Sequence, residues 1–267
     1  MFANLLVNML PFGVTLFCYL VTVFLVAQMR RDNSIMDIAY SPAFFVSALT
    51  TLWWVGVQTS TSYLITGLFG IWSMRLAVRI YRKNRGKPED PRYAAWRTAW
   101  MARGVRYFFI RSFLQINLLQ GAIIFIVALP FCIAVAATTP PATPFILIGM
   151  LVYLSGIVFE SVADLQLDRF LARKRQGTET APIMTTGLFR YCRRPNYFGE
   201  TLIWWGLAIM VLPLPFGFLA IASPLLITYI VTQVTGPMLE KIFLEKYPSE
   251  YREYMRTTHY FIPWFKK

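Results

Sequence analysis

Apolar runs long enough to cross a lipid bilayer recur along the whole chain, and no other feature constrains its fold as tightly. Leu5–Met29 is one. Others follow at Ile35–Val57, Tyr63–Ile80, Phe113–Ala136, Phe145–Phe159, Phe198–Leu212 and Phe216–Val234. A hydrocarbon core about 30 Å thick takes about 20 helical residues, with a lower limit near 17. Backbone polar groups in lipid must be satisfied within the spanning structure, and single long apolar runs do that as helices. The expectation is an all-α polytopic membrane protein of seven transmembrane helices, forming one membrane domain over residues 1–267. The fifth run extends on its C-terminal side through Glu160 and Asp164. Between the sixth and seventh, Leu212–Phe216 reads Leu-Pro-Leu-Pro-Phe, where two prolines deny helical hydrogen bonds and force a tight turn.

Composition agrees. Hydrophobic residues make up 57% of the chain and charged residues 15%, against about 25% charged in a soluble domain. Disorder and small disulfide scaffolds are excluded. The formal net charge of +13, from 26 basic and 13 acidic residues, would suit a nucleic-acid partner, but its placement argues otherwise. The basic residues gather after the first run, in Arg82–Arg106, in Arg169–Arg194 and in the tail from Lys241, while Gln58–Ser62, Ala137–Pro144 and Pro213–Pro215 carry no charge. By the positive-inside rule this predicts an outside N-terminus, seven spans and a cytoplasmic C-terminus, a multi-pass protein of the inner membrane if the source is bacterial. The bilayer is the first partner. Anionic lipid or a phosphorylated ligand comes second, and nucleic acid is not expected. Leu5–Met29 is long enough to stay as a span rather than be cleaved as a signal peptide. Cys18, Cys132, Cys192 and the lone His259 make neither a disulfide framework nor a metal site.

Every acidic residue falls on the basic side or within a turn or two of it, so ionic chemistry is expected to open to the cytoplasm. Three segments there exceed what topology needs. In Trp72–Tyr93, Arg75, Arg79 and Arg82 share a helix face, and Glu89-Asp90 beside Arg92, between two prolines, suggests a fixed loop facing a ligand. In Phe159–Asp168, Glu160, Asp164 and Asp168 line one face four residues apart, an arrangement that repels itself on a bare helix. In Thr186–Trp205, a Gly-led aromatic turn and three arginines precede Pro195-Asn196, which opens an apolar helix. Proline suits the first helical turn, where free N–H groups favour an anion. Asn196, Glu200 and Trp204 then share a face, and a carboxylate one turn inside a membrane helix is a functional candidate by default.

Gly187–Glu200, reading Gly-Leu-Phe-Arg-Tyr-Cys-Arg-Arg-Pro-Asn-Tyr-Phe-Gly-Glu, resembles the steroid 5-alpha-reductase C-terminal domain family in its bacterial DUF1295 branch. The resemblance extends to Phe159–Leu167, to Lys87–Tyr93 and to Asp37–Tyr40, and runs from about residue 30 to residue 267. It implies a seven-helix oxidoreductase acting on CH–CH groups, like a 3-oxo-5-alpha-steroid 4-dehydrogenase. Such an enzyme takes hydride from NADPH and reduces a carbon–carbon double bond of a hydrophobic lipid substrate, typically conjugated to a carbonyl. It also implies that Asp164, Asn196 and Glu200 contact the cofactor, with Arg92, Arg193 and Tyr191 on its phosphates or ribose. Arg194 stands where the family has histidine, and Glu240 lies in the matching acidic tail segment.

The catalytic end departs from the pattern. The steroid reductases carry a Gln-Glu pair early in helix two and a tyrosine in helix three, whereas this chain reads Asp37-Ile-Ala-Tyr40 and, further on, Ile80-Tyr81. Asp37, Tyr40 and Tyr81 are the catalytic candidates, as hydrogen-bond donors to a developing enolate. Two other readings stand beside the reductase. One is an S-adenosylmethionine methyltransferase of the isoprenylcysteine carboxyl type, which shares the arginine–proline turn. The other is a non-enzymatic scaffold, which does not need buried Asp37 and Glu200.

Overall fold

The computed structural model describes residues 2–56 and 59–265, with the side chains of residues 2–4 outside that description. The described chain is helical, with no strand beyond an isolated bridge between Cys192 and His259. Six helices are long and apolar enough to cross a membrane: Leu5–Arg30, Ile35–Val55, Ser60–Asn84, Val105–Val127, Thr143–Arg175 and Gly217–Lys246. The expected sixth span forms as a helix over Pro195–Val211, but its 17 residues keep it out of that set. At 1.5 Å per residue it is about 26 Å long. The expected fourth span begins earlier, at Val105 rather than Phe113, and its helix ends at Val127, where Pro130 starts a separate helix. By contact the chain divides into two compact units.

The first unit comprises residues 1–141 and 213–220. Its helices are α1 (Phe2–Arg30), α2 (Ile35–Val55), α3 (Ser60–Asn84), α4 (Pro91–Met101), α5 (Val105–Ser112), α6 (Leu119–Val127) and α7 (Leu129–Ala136), with a π-helical turn over Phe113–Leu118. Packing runs α1 on α2, α2 on α3, and α7 on both α1 and α3. Aromatic rings join these layers. Phe12 meets Phe131 at 5.7 Å, Phe131 meets Phe69 at 6.1 Å, and Phe44 sits edge-on to Phe69 and Trp72 at 5.5 and 5.4 Å. All five are essentially inaccessible, and such pairs add about 0.5–1.5 kcal/mol beyond area burial. Ser41 and Ser73 each donate to the other's carbonyl, at 3.1 and 2.6 Å, fixing α2 against α3.

The second unit comprises residues 142–212 and 221–267. It holds α8 (Thr143–Arg175), α9 (Pro195–Val211), α10 (Ala222–Tyr229), α11 (Gly236–Lys246) and α12 (Pro248–Thr257), with a 3-10 turn at Gly187–Arg190 and a π-helical turn at Ile230–Thr235. Antiparallel α8 and α9 nearly touch, because glycines seven residues apart face each other. A Cβ on Gly206 would lie 2.5 Å from the Tyr153 nitrogen, and one on Gly199 would lie 2.5 Å from the Glu160 nitrogen. Gly149 and Gly156 meet the Gly206 and Gly199 carbonyls in the same way. Without a hydrophobic force between helices in lipid, close approach at small residues supplies the attraction. That register brings Asp164 level with the first turn of α9.

Candidate functional site

The basic end of the first unit is a continuous polar network. Asp90 caps α4, accepting from the Arg92 N–H at 3.0 Å, and Pro91 opens the helix where a missing N–H costs nothing. Glu89 accepts from Arg97 Nε and Nη2, each at 2.9 Å, and from the Asn33 backbone N–H at 2.7 Å. Ser112 donates to the Asn33 side-chain oxygen at 3.2 Å, and Gln28 donates to it at 2.9 Å. The Asn33 amide nitrogen is buried with no hydrogen-bond partner among the described residues. The acidic pair of this loop therefore ties its own chain together, which makes the loop fixed as the sequence suggests.

Within this network the Tyr93 hydroxyl donates to the Asp37 carboxylate at 2.5 Å. Arg92 reaches the other Asp37 oxygen at 3.5 Å and Asp90 at 3.0 Å. Burial, and then the Asp37 charge, push the Tyr93 phenol above its ordinary range, so it stays protonated at neutral pH. Burial alone would raise Asp90, but the side-chain and backbone hydrogen bonds from Arg92 hold it below the usual carboxylate range. Tyr40 packs its ring edge-on to Phe44 at 5.6 Å. Tyr81 is 50% exposed.

In the second unit the Gly187 turn fits its glycine. Its φ is +62°, and a Cβ there would collide with Gln166 of α8, whose side-chain oxygen accepts the Leu188 N–H at 2.9 Å. Pro195 then opens α9 as its sequence suggests. Arg193, 7% exposed, is held by the chain through its Nε and Nη1. It donates to Glu240 at 2.8 Å and to the Thr258 and Met255 carbonyls at 2.6 and 3.2 Å, and its backbone N–H bonds the His259 carbonyl at 2.8 Å. Tyr251 also donates to Glu240, at 3.5 Å. Tyr254 donates to the Phe189 carbonyl at 2.6 Å, and burial raises its phenol above the ordinary range. Burial likewise pushes the Cys192 thiol up to about 12. Arg194 lies over the Phe243 ring at 5.5 Å, and its Nε is buried with no hydrogen-bond partner among the described residues.

Beside this network lies a cavity of about 350 Å³, bounded by the last turns of α8, the loop at 182–194 and the α11–α12 corner. Its wall is apolar apart from Lys174, Arg193, Arg194, Lys246 and tyrosine hydroxyls, and no carboxylate lines it. The Lys174 ammonium, 3.4 Å from the Tyr247 hydroxyl, holds that phenol below its ordinary range.

The profile of a family described as "Protein of unknown function (DUF1295)" matches residues 23–258. The chain is a DUF1295 protein. It is 30% identical to the uncharacterized protein C594.04c of Schizosaccharomyces pombe, over 89% of this chain and 72% of that protein. No solved structure matches it.

In this DUF1295 protein the candidate residues fall into two groups, one in each unit. Asp37, Tyr40, Tyr81 and Arg92 belong to the first unit, and Asp37 and Arg92 meet there. Asp164, Tyr191, Arg193, Arg194, Asn196, Glu200, Trp204 and Glu240 belong to the second. Asp164 and Glu160 are each 4% exposed, on the α8 face against α9. Trp204 is wholly buried, and Tyr191, 38% exposed, sets its ring edge-on to Phe265 at 6.4 Å. Reading the sequence missed Tyr93, although it closes the Lys87–Tyr93 motif. The available signal was an aromatic hydroxyl three residues into a proline-led helix beside two acids. It also missed Lys174 and the four packed glycines.

Proposed function

We propose that the protein is a membrane reductase related to the steroid 5-alpha-reductases. It would use NADPH to saturate a carbon–carbon double bond conjugated to a carbonyl in a steroid-like or other lipid. The observation that carries this reading is the Tyr93 hydroxyl held on Asp37. Saturating an enone builds negative charge on its carbonyl oxygen, which calls for a positioned hydrogen-bond donor. Methyl transfer to a carboxylate calls for none. Tyr93 thus takes the catalytic place given to Tyr40 on sequence grounds, with Asp37 orienting its phenol.

NADPH, when bound, supplies the hydride. The second unit's donor set fits parts of such a group. Asp164, Asn196 and Glu200 offer the acceptors and amide that ribose hydroxyls and a carboxamide require, and the unpartnered Arg194 Nε suits a phosphate. Arg193 and Glu240 fit less well, because they hold each other and the tail. On substrate binding the Tyr93 hydroxyl would turn from Asp37 to the substrate carbonyl and stabilise the enolate oxygen left once the β-carbon is reduced. The enolate then takes a proton from water at its α-carbon, so one hydride and one proton add across the double bond and Tyr93 keeps its own proton. In this reading the N-terminus is outside, α9 is the short sixth of seven spans, and the chemistry opens to the cytoplasm.

Thermal unfolding of the purified protein with NADPH and with S-adenosylmethionine tests the cofactor. A ligand at 100 times its Kd adds about 2.7 kcal/mol, so NADPH is expected to raise the Tm and S-adenosylmethionine to leave it unchanged. The reverse result would favour the methyltransferase. With a lipid enone that turns over, Tyr93→Phe is expected to lower kcat about 10²–10³-fold while the NADPH-dependent rise in Tm persists. Tyr40→Phe should cost much less.

A further inference from the structure

We propose that the 350 Å³ cavity between the end of α8 and the α11–α12 corner binds the headgroup of an anionic phospholipid. Position is the first argument. Lys174 lies one residue from the end of the span Thr143–Arg175, and Lys246 ends the span Gly217–Lys246. At 1.5 Å per residue these 33- and 30-residue spans run about 45–50 Å, against about 40–45 Å for a bilayer with its headgroups, so in this proposal both ammonium groups lie at the headgroup edge.

Charge is the second. Lys174 lies 5.0 Å and Lys246 5.4 Å from the centre of the same Tyr247 ring. Neither has a carboxylate at ion-pair distance among the described residues. Two like charges sharing one ring repel each other, and a phosphate between them removes that repulsion. Arg194 adds a buried, unpartnered Nε to the same wall.

The third is the apolar lining. Leu171 and Ile242 line the cavity yet remain 39% and 49% exposed, giving an acyl chain a path out along the two helices. The volume lies at the low end for small-molecule sites, enough for a headgroup and the start of a chain. Basic pockets between membrane helices recognise anionic headgroups in this way. The site shares Arg194 with the cofactor set proposed above but uses none of Asp37, Tyr93, Asp164, Asn196 or Glu200, so the reductase reading stands without it.

The test follows Tm in a neutral detergent during titration with four probes: dioctanoyl phosphatidic acid, dioctanoyl phosphatidylcholine, inorganic phosphate and NADPH. Phosphatidic acid should raise the Tm, while phosphatidylcholine and inorganic phosphate should not. Each surface cation is worth about five-fold in lipid affinity, so Lys246→Gln should weaken phosphatidic acid binding about five-fold. Lys174→Gln should do the same, but Lys174 also donates to the Ala181 and Pro182 carbonyls, so Lys246→Gln is the cleaner variant. Arg111→Gln, in the first unit, should change nothing. Equal effects of the two lipids, a full effect of inorganic phosphate, or no loss in Lys246→Gln would overturn the proposal. Displacement of the lipid by NADPH would also overturn it, by giving the cavity to the cofactor, while leaving the reductase reading intact.

Discussion

A single side chain, Arg193, closes the second unit, linking the α9 entrance to α11 and to the chain beyond α12. Removing one member of a buried ion pair leaves the other uncompensated and costs about 3–5 kcal/mol. Arg193→Ala is therefore expected to lower the Tm sharply, measured by thermal unfolding in detergent. Glu240→Gln keeps an acceptor for the Arg193 Nε and should cost less. A mild Arg193→Ala variant would mean the pair carries little of the fold. Sequence alone identified Arg193 and Glu240 as neighbours of one site, but not that they satisfy each other. They lie 47 residues apart, and a motif reports which residue types recur, not which donors are already occupied. Tyr93 and Asp37, 56 residues apart, were hidden for the same reason. Each lay inside a noticed motif, and only the folded chain joins the two motifs.

Among the elements, the α8–α9 pair depends on what its glycines lack. Gly199→Val and Gly206→Val would each force a side chain into backbone 2.5 Å away. Overpacking of this kind typically costs about 1–3 kcal/mol, and here it pushes two helices apart. Gly67→Ala in α3, with nothing within 4 Å of the added Cβ, should be tolerated or mildly stabilising. Comparing folded yield and Tm among the three variants separates helix contact from general glycine sensitivity. Apolar runs made most helices legible, because a bilayer admits few alternatives. The fourth was started too late because Arg106 read as loop charge, although long basic side chains can reach the interface from inside a helix. The seven-residue glycine spacing was visible in both helices, but its meaning depends on knowing which helix faces which.

At the scale of the whole molecule, the charge-free connections give the topology test. Cysteines introduced at Ser60 and Ala142 are expected to label with an impermeant maleimide from the outside of intact cells, as the uncharged loops predict. Labelling only after permeabilisation would invert the orientation. The chain's last residues return to its middle: Cys192 bridges His259, the Trp264 N–H bonds the Tyr191 carbonyl, and Tyr260 donates to the Val231 and Thr232 carbonyls at 3.1 and 3.3 Å. This return fixes an order of events during synthesis. Arg193 precedes its Thr258 acceptor by 65 residues, and at about 5–20 residues per second that delay is roughly 3–13 s. The α9 entrance is thus finished only after residue 258 has been made, and ribosomes stalled short of it would hold an Arg193 still lacking its Thr258 acceptor.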